Sequence, residues 1–385
     1  MADSNKGPLA GLRVIDITTV VLGPFATQVL GDMGADVIKV ETVDGDSTRY
    51  IGPSRTPGMG SYFATLNRNK RSVALDLKNP AARAALLRLI DGADVLVHNM
   101  RAGAAQRLGL DYAAVRARNP KIVYASAGGF RQDSSQRDFP AYDDLIQGLS
   151  GITELNAGPD GQPRYFPTVL VDKLTGSTLA SMVAMALVHR ERTGEGQEVH
   201  LPMLETIASF ALIEHMWAGT LNEPDKGLGY PRMLTPHRRP YRTKDGYISV
   251  IAHSDAQWRA LFAAMEAPEL ADDPRFATVA ARTAHIDALY GTLTAGMPKR
   301  TTAEWIALLR AADIPCGKAN TLRDLFDDPY LRETGFFQRM DHPDEGEVLV
   351  SAIPARFSES PPSVRALWPR LGQHTREVLR EAGPQ

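Results

Sequence analysis

The sequence predicts an α/β protein built on a doubly wound parallel sheet, with a smaller α+β domain following it. Three observations carry that expectation. Apolar runs of strand length alternate with helix-length stretches through the first two hundred residues. The joints between them are short, which makes βαβ units and parallel pairing the economical reading. At 385 residues the chain also exceeds the length at which a single core usually keeps growing, so two domains or one large decorated domain are expected.

Element by element, "LRVIDIT" is a short apolar strand, "GPFATQVLGDMGA" a helix closing at Gly34, and "DVIKVE" a second strand. The pattern recurs as the strand "SVALDLK", the helix "NPAARAALLRLIDGA", the strand "DVLVHN", a helix near 111 to 118, and the strand "KIVYASAGGF". A long helix is expected from about 175 to 192, followed by the turn "RTGEGQ", the strand "EVHLP" and an apolar helix from about Met203 to Trp217. The texture then changes. "GTLNEPDKGLGYPRMLTPHRRPYRTKDG" is rich in Gly and Pro without sustained period and reads as an interdomain linker, placed at 221–240 after a large domain over 1–220. Beyond it, "YISVIA" is a strand, and "DAQWRALFAAM", "RTAHIDALYGTLTAGM" and "TTAEWIALLRAA" are amphipathic helices, the last capped by Thr301 or Thr302. These make a small α+β domain over 241–330. "FQRMDHPDEGEVLVSAIPARFS" suggests paired strands and "GQHTREVLREAG" a closing helix.

Composition excludes several function classes. Net charge is −2 and no block of like charges stands out, so nucleic acid is not an expected partner. The single cysteine, Cys316, cannot form an internal disulfide and suits a reducing compartment. The start "MADSNKGPLAGLRV" lacks a basic region followed by an apolar one, and no window holds 18 uncharged apolar residues. A cytoplasmic chain without membrane contact is expected.

Motif chemistry narrows the field further. The first βαβ unit ends in Glu41, near where an acid would hold a ribose, but its turn "TTVVLGPF" offers Gly23 and Pro24 where a dinucleotide site needs three spaced glycines. The nine histidines are scattered with no metal-ligand spacing, and the G-x-S-x-G elbow of serine hydrolases is absent. That leaves the carboxylates. In "YFPTVLVDKLTGSTLASMVAMAL", Asp172 follows a strand-like run and precedes a helix whose Gly176, Ala180 and Ala184 permit close packing. Two readings stay open: a cap for a helix beginning near Thr175, or a covalent nucleophile toward an activated acyl group. Lys70, Arg71, Lys78, Arg101 and Arg107 lie near the strands of the sheet, and are either solvated charges or a joint phosphate-binding set at its ligand edge.

The segments "GLRVIDIT…GPFATQVLGDMGADVIKVE", "NRNKRSVALDLK", "ASAGGF", "PAYDDLIQGLSG", "VDKLTG", "RERTGEGQEV", "RRPYRTKDGYI" and "IPCGKANTL" together resemble, in order over nearly the whole chain, the class III (CaiB/BaiF) CoA-transferases. That group includes formyl-CoA transferase, carnitine CoA-transferase and the 2-methylacyl-CoA racemases. The resemblance implies a Rossmann-like large domain, a small domain, a segment over 331–385 returning to the large domain, and a homodimer of interlocked rings. It implies no metal and no tightly bound cofactor, with coenzyme A or acyl-CoA as substrate. The family's nucleophilic aspartate falls on Asp172, with oxyanion donors expected from Thr175 and Gly176. Positions that contact CoA fall on Val21, Leu22, Leu75, Lys78, Asn99, Met100, Ala104 and Arg107, and the pair flanking the thioester falls on Tyr142 and Asp143.

The chain departs from formyl-CoA transferase at Val21, where that enzyme has glutamine, and at Thr42, where it has a CoA-contacting arginine. Its glycine-rich gating loop has no counterpart in "GYPRMLTPHRRPYR". Oxalate and formyl-CoA are therefore poor expected substrates, and the Arg and His residues of "TPHRRPYR" are compatible with a dicarboxylate. Racemase relatives place a histidine where this chain has Tyr142. A phenol is a poor base at neutral pH, so transfer of CoA from an acyl-CoA to a carboxylic acid is expected over racemisation, and a noncatalytic CoA-binding protein is the third alternative.

Overall fold

The computed structural model describes residues 6–383. Strand β1 (Arg13–Ile17), helix α1 (Leu22–Asp32) and strand β2 (Asp36–Glu41) form the opening βαβ unit. Gly34, at φ 108°, makes the turn between α1 and β2 in a conformation that a side chain would oppose. β3 (Lys70–Ala74), β4 (Val95–His98), β5 (Val123–Gly128) and β6 (Glu198–Pro202) complete one sheet of order β3-β2-β1-β4-β5-β6. Every neighbouring pair is parallel. Strands β1, β2, β4 and β5 are buried almost throughout, which is why they read as continuous apolar runs rather than alternating ones. The order reverses between β1 and β4, and the crevice at the carboxyl ends of such a reversal is where α/β sheets hold ligands.

Helix α2 (Pro80–Asp91) starts where Asn79 accepts the Ala81 N–H and proline takes the first helical position. Helix α3 (Ala102–Leu108) follows β4, and α4 (Tyr112–Arg118) is capped by Asp111. Helix α5 (Asp143–Leu149) precedes the long α6 (Leu170–Thr193), which ends at Gly194 with φ 78°, and α7 (Met203–His215) leaves β6. Helices α3 and α5 were not expected from the sequence; both are only 7 residues long and carry little periodic signal.

The largest local correction concerns α6. The run before Asp172 is no strand, and the helix begins at Leu170 rather than near Thr175. The Gln147 side chain accepts the Phe166 N–H at 2.9 Å, so this backbone is held by a side chain of α5 instead of a neighbouring strand. Asp172 consequently sits inside the first turn of α6, neither at a strand end nor as a cap. The small-residue stripe behaves as expected. A Cβ on Gly176 would lie 2.4 Å from the Leu22 carbonyl oxygen, so α6 packs this close to α1 because position 176 has no side chain. α6 is also long and apolar enough in composition to cross a bilayer, but Val171, Leu179, Val183 and Leu187 are spent on the interior of this unit.

The chain divides into two compact units. The first comprises residues 1–156, 163–210 and 332–385. Its C-terminal part holds the antiparallel hairpin β10 (Phe337–His342) and β11 (Gly346–Ser351) and a last helix, α12 (Thr375–Glu381). The second comprises 157–162 and 211–331. It contains the antiparallel strands β7 (Tyr241–Arg242), β8 (Tyr247–Val250) and β9 (Cys316–Lys318). With them are helices α8 (Asp255–Ala264), α9 (Val279–Ala284), α10 (Ile286–Gly296) and α11 (Thr302–Ala311). Capping boxes start α8 at Ser254 and α11 at Thr301, and a core around Trp258, Phe262 and Trp305 joins the helices to the strands. The segment 221–240, expected as a linker, is instead part of this unit. Tyr230 stacks on Trp217 at 5.2 Å, and Arg232 donates to the Tyr290 hydroxyl at 2.8 Å, so its irregular backbone is packed rather than spanning open space.

Candidate active site

Loops leaving the carboxyl ends of β1, β4 and β5 surround a cleft of about 260 Å³ at the switch point. Thr19 to Leu22 line it from β1, Asn99 to Ala102 from β4 and Gly128 to Phe130 from β5, and Tyr142, Asp172 and His200 also face it. Larger hollows lie elsewhere: two of about 540 and 450 Å³ against the β10–β11 hairpin, one of these at the amino ends of β2 and β3, and one of about 560 Å³ beside residues 231–236 and the α9–α10 junction. Volume therefore does not locate the chemistry; the strand ends and the carboxylates do.

Asp172 is half-buried, and its backbone N–H donates to Asp143 Oδ2 at 3.0 Å. Asp143 is 6% exposed at the start of α5, and its other oxygen accepts from Gln147 Nε2 at 2.5 Å. Burial first, and the neighbouring Asp143 charge second, push the Asp172 carboxyl up to about 7. The Tyr62 phenol is also pushed upward, by burial and then by Asp172 and Asp143, which places it within electrostatic reach of both acids. Because Asp172 precedes Gly176 by one turn on the same face of α6, the Gly176–Leu22 approach sets the acid beside the first turn of α1.

The loops are tied to each other. Asn99 Oδ1 accepts the Thr19 N–H at 3.0 Å while Asn99 Nδ2 donates to the Thr19 carbonyl at 2.9 Å, joining the β1 and β4 loops. The Tyr124 hydroxyl donates to the Leu110 carbonyl, so His98 donates through Nε2 to Tyr124 and accepts the Met100 N–H at Nδ1. Burial, helped by His200, lowers His98 to about 4, which keeps it in this neutral form. His98, Ser126 and His200 form one row across β4, β5 and β6. His200 Nε2 meets the Phe130 carbonyl at 3.1 Å, and Ser126 Oγ lies 2.9 Å from Nδ1.

Of the residues expected at the site, Val21, Leu22, Asn99, Met100, Tyr142 and Asp172 line the cleft, and Asp143 stands directly behind Asp172. Leu75, Lys78, Ala104 and Arg107 do not line it. Leu75 is 6% exposed within the core, whereas Lys78 and Arg107 are exposed on the same edge of the sheet. Two basic expectations are overturned. β3 begins at Lys70, so Lys70 and Arg71 belong to the amino edge of the sheet and not to its ligand edge. Lys70 is held by Asp16, Asn67 and the Pro24 carbonyl, and Arg71 by Asp36 and Glu381. Thr175 and Gly176 are also excluded as oxyanion donors, because they lie beyond the first turn of α6, where N–H groups are spent on helical bonds. Sequence reading missed Tyr62, Arg137 and His200. Arg137 lines the cleft, as does Arg101, and the loop "RQDSSQRDF" carried no pattern that would have marked it.

The description of CoA-transferase family III matches residues 9–375. The chain belongs to the family III CoA-transferases. A relative named succinate–glutarate CoA-transferase, from Agrobacterium fabrum, is 33% identical over 98% of this chain and 96% of its own. One named acetyl-CoA:oxalate CoA-transferase, from Acetobacter aceti, is 37% identical over 99% and 97%. The solved structure of a CAIB/BAIF family protein from Brucella suis is 31% identical and superposes with a TM-score of 0.82, covering 98% of this chain and 100% of that one. That of Rv3272 from Mycobacterium tuberculosis, also 31% identical, gives 0.83 over 97% and 99%. This CoA-transferase thus carries its paired carboxylates at the switch point of a parallel sheet.

Proposed function

We propose that the enzyme moves CoA from an acyl-CoA donor to a carboxylic acid acceptor through Asp172. The observation that carries this reading is an acid facing the strand-end cleft with Asp143 directly behind it, pushed up to about 7 by burial and by the Asp143 charge. Such a carboxylate is poorly solvated when ionised, which favours attack on an acyl carbon. An Asp172 oxygen attacks the donor thioester carbonyl and CoA thiolate leaves, giving a mixed anhydride. The thiolate attacks the aspartyl carbonyl, releasing the donor acid and leaving an aspartyl–CoA thioester. The acceptor carboxylate displaces the thiolate to form a second anhydride. Thiolate attack on the acceptor carbonyl then yields the new acyl-CoA and restores Asp172.

In place of Thr175 and Gly176, the oxyanion donors are assigned to the first turn of α1 at Leu22 and Gly23, whose N–H groups have no helical acceptor. Met100 and Tyr142 are assigned to the pantetheine and acyl portions. Arg101 and Arg137 take anionic parts of the substrates, and the nucleotide extends along the edge toward Arg107 and Lys78. Dicarboxylic acids are the preferred acceptors, in keeping with the names of the Agrobacterium fabrum relative and of a Mus musculus relative called succinyl-CoA:glutarate CoA-transferase. The oxalate-named relative means that Val21 is no ground for leaving oxalate out. A homodimer is part of the proposal, since Met185, Val188 and Phe210 leave apolar side chains of α6 and α7 exposed for a second copy to cover.

The test incubates the enzyme with succinyl-CoA and a panel of acids in deuterated buffer. CoA appearing on a dicarboxylic acid supports the proposal. With a chiral 2-methylacyl-CoA in place of succinyl-CoA, inversion with deuterium entering the α-carbon and no transfer would establish racemisation instead, and binding with neither reaction would establish a noncatalytic protein.

A further inference from the structure

Val20 has a φ of 69°, in the left-handed region that β-branched residues almost never occupy. It lies in the loop between β1 and α1, on the wall of the cleft. Strain of this kind persists when the surroundings impose it, and here the surroundings are charged and buried. The Val20 N–H donates to Asp46 Oδ2 at 3.1 Å. That same oxygen receives Lys39 Nζ at 3.2 Å, and both side chains are 0% exposed. Lys39 Nζ in turn holds the Thr18 carbonyl at 2.9 Å. Asp46 cannot swing away, because its other oxygen is bound by the Thr48 N–H and hydroxyl and its backbone N–H by Glu41, itself locked to Arg49.

We infer that Asp46 is a positioning residue, holding Val20 at positive φ so that the following backbone, Val21 to Gly23, presents its N–H groups to the acyl carbon at Asp172. This rests on the reaction proposed above. The competing explanation is that Asp46 merely caps the short turn Ser47–Tyr50, a job its Oδ1 already performs. The bond from Val20 to Oδ2 is the feature that a cap does not need, and glycine at position 20 separates the two roles, because glycine adopts positive φ without being held.

The experiment is a double-mutant cycle of Asp46→Asn and Val20→Gly, with wild type assayed alongside. With valine at 20, Asp46→Asn lowers kcat at least 10-fold, changes KM for acyl-CoA by less than about 3-fold, and leaves the pH midpoint of Asp172 in place. With glycine at 20, the same change costs less than about 2-fold. Equal losses in both backgrounds, or no loss in either, would overturn the inference. A crystal structure of Asp46→Asn gives a readout independent of activity: Val20 relaxes to negative φ, and its remaining positive contradicts us. Should that variant not fold, Val20→Pro, which cannot reach positive φ, loses transfer at least 100-fold while melting within a few degrees of wild type; full activity with proline overturns the inference. If wild type itself transfers no CoA, the proposed function fails and the φ of Val20 in Asp46→Asn still decides the role of Asp46.

Discussion

Asp16 and Asp172 are both acids drawn out of water within the same unit, and they end in opposite states. Asp16, 0% exposed at the end of β1, is pushed up by burial but ends below its ordinary range. Lys70 Nζ lies 3.1 Å away, Lys39 adds its charge, and the Thr18 and Thr27 hydroxyls donate to it at 2.5 and 2.7 Å. Asp172 is less buried, yet burial raises it to about 7, because its charged neighbour, Asp143, adds to the rise instead of offsetting it. Burial alone therefore does not make a reactive acid. What separates the two is compensation: the buried cluster of Asp16, Glu41 and Asp46 is matched by Lys39, Lys70 and Arg49, whereas the pair at the cleft is left with like charge.

Breaking the compensated side has the largest expected effect. Lys70→Met strands Asp16 in the core and costs about 3–5 kcal/mol of unfolding free energy, read from urea denaturation. A loss below about 1 kcal/mol would mean that Lys39 suffices and that the matching of charges is not what keeps Asp16 low. The uncompensated side responds more gently. Asp143→Asn removes the second cause of the raised pKa and leaves the first, burial, in place. Transfer requires ionised Asp172, so kcat rises as pH increases through its pKa. In Asp143→Asn that midpoint moves to lower pH by up to about one unit, equivalent to roughly 1.4 kcal/mol, while remaining above the ordinary carboxylate range. An unmoved midpoint in the pH profile of kcat would separate Asp143 from the titration of Asp172.

The same contrast explains what could be read from the amino-acid order. β1, α1 and β2 were legible because continuous burial of the strands and the Gly34 turn leave local signatures. The candidacy of Asp172 was legible from its chain neighbours, including the small-residue stripe that Gly176 begins. The start of α6 was not, because the β-branched run before Asp172 mimics a strand and only Gln147, some twenty residues away in sequence, determines otherwise. Lys70 and Arg71 were misassigned for a related reason. The connection that leaves the carboxyl end of β2 has already returned to the amino end of β3 when it reaches them, a path that no local spacing reveals, and their acidic partners lie far along the chain. Tyr62 and Asp46 acquire their importance from contacts made by folding, to which no local spacing points.

The most direct test of Asp172 is to add hydroxylamine during turnover with succinyl-CoA and a dicarboxylic acid, then digest the protein and weigh the peptide containing residue 172. A hydroxamate on Asp172, absent without acyl-CoA and absent in Asp172→Asn, is the predicted result. Turnover that proceeds with an unmodified Asp172 peptide, or that survives Asp172→Asn at the wild-type rate, would contradict the account.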